Sequence, residues 1–512
     1  MGVVSLIRAG MQTATPWRFE LDELGWRDMV AALAHDPLPF AGLWCDGVHV
    51  HALFLPNGQP LAVTVALEDG RYPALSPARP VSALYERAIY DLYGAEAMWA
   101  VDVRPLLDHD VWLASAPLSA VPGMAGGHKG LVRFTPSDVL RAASAQAAST
   151  QAANGQAASA QLDGWGPATG DMRSPLHVAL AVSGGSVLCA ESQTGYAHRG
   201  LALRWRGSSL EQASRLSSRV AARCSVAHQV AFSWAVEAAC GYAPGPQSDL
   251  VCVALLEIER ISHHLYTLAD VAGRAGAALL ASRCMMLRER ILAQVAPVAG
   301  SRLLLDVCMP GGIRLRQPEQ MAELCAAVVD LARPDLADLA QLWRDYPGLA
   351  ARLAGFGVTT ADELERLQLD GPLARAAGRD CDTRRLLPAY DGLWRYTSGQ
   401  QHGTAQDRIV LLLAEIGESL GILDRAAARM GLGIGAGSMV LRDGEGTGVV
   451  EGPWGSIAYW VRLHDGHVAQ VFYHCPAPAT LLLFETTLRG CAAHDIALLA
   501  SSLGVDVAAL DG

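Results

Sequence analysis

Two apolar runs near the N-terminus alternate with a period of two. Val48 to Leu55 reads VHVHALFL, Pro60 to Leu67 reads PLAVTVAL, and Pro56-Asn57-Gly58 lies between them. Alternation bounded by a turn predicts two neighbouring strands. From Pro80 to Leu92 (PVSALYERAIYDL) the spacing becomes helical, so this first segment reads as mixed α and β. The alternation returns at Leu176 to Val182 (LHVALAV) and Ser186 to Ala190 (SVLCA), with Ser183-Gly184-Gly185 as a hairpin turn. Long apolar stretches follow, Leu210 to Gly241 and Ser248 to Ala296, apolar over most of their circumference as helices inside a bundle are. Ser248 or Asp249 stands where the second would be capped. Gln317 to Leu369 predicts more helix, broken at Pro334, and Ala405 to Met430 another. Gly448 to Val461 and His467 to Tyr473 predict a closing hairpin around His464-Asp465-Gly466.

One stretch fits none of these periods. Arg141 to Leu162, RAASAQAASTQAANGQAASAQL, nearly repeats a small, polar unit. Such side chains are too small to build a core, which predicts a linker, flexible or transiently helical. The expected organisation is α+β: a small α+β domain over 1–140, a linker over 141–163, and over 164–512 a mainly helical bundle domain with flanking β-hairpins.

Composition narrows the function classes. The 512 residues are 51% hydrophobic and 18% charged, yet no run of about 18 uncharged apolar residues appears, so no membrane span is expected. A net charge of −11, with Arg supplying nearly all the positive charge, argues against a nucleic-acid surface. The N-terminus lacks a long apolar core followed by a small-residue cleavage site, so no secretory signal is read. The 11 cysteines form no Cys-x-x-Cys pair, and their spacing suggests a reducing compartment, the cytosol. No Gly-x-Gly-x-x-Gly turn after a strand supports direct NAD binding.

Candidate chemistry begins at Arg219 to His228, RVAARCSVAH. Cys224 and His228 are spaced i,i+4 and share one helix face, but two ligands without a second pair make a weak zinc site. His49 and His51 share a strand face and likewise lack a third ligand.

Several words in order carry a family resemblance. YERAIYDLYGA and RPLLDHDVW, within Pro80 to Trp112, resemble the C-type (30-kDa-like) subunit of respiratory complex I. Gly195-Tyr196-Ala197-His198-Arg199-Gly200, Glu259-Arg260-Ile261-Ser262-His263-His264-Leu265 and Met309-Pro310-Gly311-Gly312-Ile313 resemble the D-type (49-kDa-like) subunit and the large subunit of energy-converting [NiFe] hydrogenases. C-type then D-type on one chain looks like the fused large subunit of formate hydrogenlyase-type complexes. In that family RVAARCSVAH corresponds to the first nickel-ligand motif. Arg219, Val220, Cys224, Ser225 and His228 are kept and Ala221 replaces a cysteine, while Asp506 and Ala509 fall at the second motif's two cysteines. Three of four thiolates are absent, which implies no nickel-iron centre, no hydrogen turnover and no metal held by this chain.

The same cavity binds a quinone headgroup in complex I. Its two histidine positions fall on Thr169 and Arg173, its tyrosine position on Ala222, and the aspartate of the Asp-x-Gly-Ala word on Arg274. The resemblance therefore implies cavity candidates Tyr196, His198, Arg199, Arg219, Cys224, His228, Asp506 and Arg173. It places His264 near an iron-sulfur cluster carried by a partner. The implied partners are a small iron-sulfur subunit of the complex I B-type or hydrogenase small-subunit kind, and antiporter-like and H-type membrane subunits, at the cytoplasmic face of the inner membrane. The implied role is structure and coupling in a hydrogenase-like or NADH:quinone-oxidoreductase-like electron-transfer complex. An active quinone- or metal-dependent redox subunit is the alternative.

Overall fold

The alternating runs become neighbouring strands. His49–Phe54 and Leu61–Ala66 pair antiparallel in a five-stranded sheet whose order is Met11–Gln12, Arg18–Leu21, Leu61–Ala66, His49–Phe54, Phe40–Cys45. Only Arg18–Leu21 and Leu61–Ala66 run parallel in it. His51 is fully buried, with Nδ1 2.9 Å from Thr64 Oγ1 and Nε2 3.2 Å from Asp46. It is a core histidine, while His49 on the same face is partly exposed. The computed structural model describes residues 2–124, 136–153, 161–170, 173–395, 402–431 and 439–512.

The stretch read as a linker is not one throughout. Asp138–Ala153 is a helix, and Gln161–Trp165 is a strand paired antiparallel with His177–Ser183, which in turn pairs with Ser186–Gln193. The helix buries Leu140 against Ala179 and Ala181. Small side chains cannot build a core alone, but a helix can lie on a sheet that already has one. Residues 154–160 of this stretch lie outside the described residues.

The bundle helices are shorter than the hydrophobic runs. Leu210–Ser217 and Ser225–Cys240 are separate helices, as are Pro246–Arg274 and Ala278–Ala299. The second break falls at Gly276, whose φ of 86° suits a residue without Cβ. The cap of Pro246–Arg274 is Gly245, with Pro246 in the first turn where its missing N–H costs nothing, in place of Ser248 or Asp249. Met321–Asp345 runs straight through Pro334. At the C-terminal end the predicted hairpin is a three-stranded sheet, Gly444–Gly452, Gly455–His464 and His467–His474.

That sheet positions everything downstream. Gly444, Gly446 and Gly448 face the Ser225–Cys240 helix at Ala239, Ala235 and Ala231. A Cβ on Gly446 would stand 2.2 Å from the Ala235 carbonyl oxygen, and one on Gly448 2.2 Å from that of Ala231. The opposite face of the same sheet holds the N-terminal segment. Phe472 stacks on Trp44 at 4.6 Å and 14°, Tyr85 Oη is 2.9 Å from His474 Nδ1, and Arg18 pairs with Glu445 at 2.9 Å.

Behind the sheet lies a buried ionic network. Glu257 accepts from Arg260 (3.2 Å), Arg384 (3.3 Å), Tyr390 (2.8 Å) and Ser419 (2.5 Å). Arg375 bridges Glu415 and Glu451, each at 2.8 Å, and Arg384 pairs with Asp382 at 2.8 Å. Arg260 also donates to the carbonyls of Glu451 and Gly452.

The glycine stripe generates a prediction. Gly446→Ala forces helix and strand apart and lowers stability by about 1–3 kcal/mol. A shift in the urea midpoint at unchanged slope measures it, and an unchanged midpoint refutes the close approach.

Candidate functional site

Two chain segments meet at the start of the Ser225–Cys240 helix because one guanidinium ties them. Arg199 donates to the carbonyls of Arg219 (2.6 Å), Val220 (2.7 Å) and Ala508 (2.5 Å), and its backbone N–H donates to Asp511 O. The Asp511 carboxylate in turn accepts from the N–H groups of Gly195 and Ala197. Gly195 to Arg199 thus clasps residues 219–220 to the C-terminal segment.

The clasp closes a cavity of about 50 Å³. Ala221, Cys224, Asp506 and Ala509 all line it, with His228, His263, Arg223, Trp454 and Cys475. The four positions at which the family resemblance would put metal-ligating cysteines converge on one space, with one thiol among them. Cys475 adds a second thiol, which no spacing along the chain could have revealed.

The cavity's groups are mostly uncharged. Burial, and then the neighbouring Glu259, push the Cys224 thiol well above its ordinary value, and burial pushes Cys475 up to about 12. His228 Nδ1 lies 2.9 Å from the Tyr459 hydroxyl, and burial together with Arg199 brings its pKa down to about 3. Asp506 accepts from the N–H groups of Ala508 (3.0 Å) and Ser174 (3.5 Å). Among the described residues the only His, Cys, Asp and Glu groups whose ligand atoms converge as a trio are the exposed Asp443, His464 and Asp465, outside this cavity.

The other expected site residues are elsewhere. Arg219 is 45% exposed in its side chain and forms a two-pronged pair with Asp306 at 2.5 and 2.7 Å. Arg173 donates to Asp270 (2.5 Å) and Ser501 (2.6 Å). His198 stacks on Trp112 at 4.8 Å, and Tyr196 is half-buried outside the cavity wall. His264 is fully buried, with Nε2 2.9 Å from Glu415, so it belongs to the ionic network and offers no surface to a partner. Burial alone would raise the Glu415 carboxyl, but Arg375 and His264 more than offset it and hold it well below the usual range. A helix period cannot separate His264 from its neighbour His263, which is the one that lines the cavity.

Residues 275–436 match the family described as respiratory-chain NADH dehydrogenase, 49 Kd subunit. The chain is similar to the carbon monoxide-induced hydrogenase of Rhodospirillum rubrum, 24% identical over 66% of this chain and 95% of that protein. It is 25% identical to the alpha subunit of the membrane-bound hydrogenase of Pyrococcus furiosus, over 66% of this chain and 84% of the relative. It is 27% identical to a D-type subunit of the NADH-quinone oxidoreductase of Rhizobium etli, over 52% and 66% respectively. The chain is therefore similar both to hydrogenase subunits and to D-type subunits of NADH-quinone oxidoreductases. No helix among the described residues is long and apolar enough to cross a membrane.

Glu259 supplies a pH test of the site's frame. Its two oxygens accept from the N–H groups of Val226 and Ala227 at the start of the Ser225–Cys240 helix, at 2.6 and 3.0 Å. Burial pushes its pKa up to about 7, these two bonds offsetting only part of the shift. An acid whose folded pKa is raised keeps its proton longer in the folded state. Its contribution is thus fully present below the unfolded value near 4.5 and is lost as pH rises through about 7. Denaturation of wild type and Glu259→Gln at pH 5 and pH 8 should show the wild type losing on the order of 3 kcal/mol more than the variant. Parallel losses refute the assignment.

Proposed function

We propose that this chain is the large, hydrogenase-like subunit of a membrane-associated electron-transfer complex, and that its cavity is a degenerate nickel site serving structure and coupling. One observation carries the reading. Ala221, Cys224, Asp506 and Ala509 share a single cavity, and only one of the four offers sulfur. A nickel-iron centre needs a set of soft thiolates, and the cavity lining offers two sulfurs, Cys224 and Cys475.

The finer reading adds a fused C-type (30-kDa-like) segment ahead of the D-type segment. The tight seam between them, Trp44 on Phe472 and Arg18 on Glu445, supports their acting as one body. On this reading a small iron-sulfur subunit and membrane antiporter-like and H-type subunits are the partners, docked at the cytoplasmic face of the inner membrane. His264 then bears on electron transfer only through the ionic network. A second reading, an active redox subunit with unusual ligands or a quinone, draws on Cys475 and His228, which bring the cavity a further sulfur and a neutral imidazole.

Metal analysis and mass spectrometry of the native complex, purified through this chain, separate the two. Less than about a tenth of an equivalent of nickel, an iron-sulfur subunit in stoichiometric amount, and collapse of the complex when the chain is deleted are expected. One equivalent of nickel, or a monomer with no partner, overturns the proposal.

A further inference from the structure

Beside the cavity lies a second recess of about 40 Å³, and Arg223 and His263 form the wall common to both. We propose that this recess, built by Arg223, Arg288, Tyr266 and His263, binds a small carboxylate or inorganic oxyanion. The proposal stands whether or not the neighbouring cavity holds metal.

Arg223 is the central observation. It is 8% exposed, its Nε has no hydrogen-bond partner, and its one side-chain hydrogen bond is a long one, 3.5 Å to Thr267 Oγ1. Among the described residues no carboxylate oxygen lies within 4 Å of it. Its guanidinium sits 5.1 Å from the centre of the Tyr266 ring, and that of Arg288 5.8 Å from the same ring. A buried guanidinium without a counter-ion is costly, and an aromatic face returns only part of the lost hydration.

The rest of the wall donates as well. Arg288 is nearly buried, its Nε is also without a partner, and its carboxylate neighbour Glu289 stands half-exposed and is shared with Arg302. The Trp454 indole can only donate, and it reaches His263 Nε2 at 3.2 Å. That ring, kept neutral by burial and the surrounding cations, therefore carries its proton on Nδ1, which has no partner. Glu259 is the one acid on the wall, and both its oxygens are taken by Val226 and Ala227. Three unmet donor sites, two of them on guanidinium groups, thus belong to residues that line this recess, whose one carboxylate, Glu259, is already engaged. Ala222, Arg302 and the 43%-exposed Leu303 are the solvent-exposed members of the lining, the side from which an ion would enter.

Size sets the ligand class. A space of this volume admits about three or four heavy atoms, which suits acetate or nitrate and excludes dicarboxylates and larger anions. Arg223 is well placed to give selectivity, because a guanidinium can grip a planar oxyanion with two N–H groups.

The experiment uses the full chain, with any subunits that copurify, titrated calorimetrically with sodium acetate, sodium nitrate and sodium succinate at constant ionic strength. Saturable binding of acetate or nitrate at one site per chain is expected, with succinate unable to compete. Arg223→Leu should weaken binding at least tenfold and Arg288→Met at least threefold, each at unchanged circular dichroism. The second variant carries the test should the first not fold. A non-saturable salt effect, equal competition by succinate, or undiminished binding in a folded variant overturns the proposal.

Discussion

The structure depends on balancing charge where there is no water. Four carboxylates (Glu257, Asp382, Glu415 and Glu451) and three guanidiniums (Arg260, Arg375 and Arg384) are buried together, with the His264 imidazole beside them. Four negative charges less three positive ones leave a single excess. Burial resolves it, pushing Glu451 up to about 7 despite its contact with Arg375, so that it can hold the spare proton. Removing one partner from such a cluster strands a charge and typically costs about 3–5 kcal/mol, far more than the intact cluster contributes over an apolar core. The network therefore specifies more than it stabilises. It joins the Pro246–Arg274 helix, the Ala405–Ala427 helix and the Gly444–Gly452 strand in one arrangement, because few others pair every charge.

The site is built on that arrangement by two further contacts. The strand fixed by Arg260 and Arg375 carries the glycine stripe, which seats the Ser225–Cys240 helix and so places Cys224 and His228. Arg199 then draws Ala508 to residues 219–220, bringing Asp506 and Ala509 against Ala221 and Cys224. Arg199, expected in the cavity, works from behind it: three carbonyls occupy its guanidinium, leaving it to position the walls. This gives Gly195 to Arg199 a structural task that needs no metal in the cavity. That task is to hold the chain together.

Much of this was legible in the sequence because local chemistry and tertiary packing agree. The hairpin at Ser183-Gly184-Gly185, the strands around Pro56-Asn57-Gly58 and the convergence of Ala221, Cys224, Asp506 and Ala509 follow from turn residues and ordered motifs. Where packing overrides local rules, the sequence misleads. An Ala/Gln/Ser tract becomes a helix because a sheet is there to receive Leu140. Met321–Asp345 accepts Pro334 because a long helix can lose one hydrogen bond. Gly276 breaks an apolar run whose composition does not change across the break. Arg219 and Arg173 carry the right charge for a cavity, yet each is captured by an aspartate distant in sequence, Asp306 and Asp270. Cys475 and His263 reach the cavity only through the fold.

Electrostatics separates the cavity region from the network behind it. Cys224, Cys475, His228 and His263 all meet burial by favouring their neutral forms. A guanidinium has no such route, since it does not give up its proton inside proteins. Asp506 is the anion nearest in kind, but it is engaged by backbone N–H groups and lies more than 4 Å from Arg223. Arg223, which lines both cavities, lacks the balance that the network has, since no described carboxylate pairs with it. On the proposed reading, Ala221 and Ala509 stand where soft, negative donors would be needed for a metal. The neighbouring Arg223 is then a buried cation with an unpartnered Nε, and attraction for an anion is what the proposed recess would use.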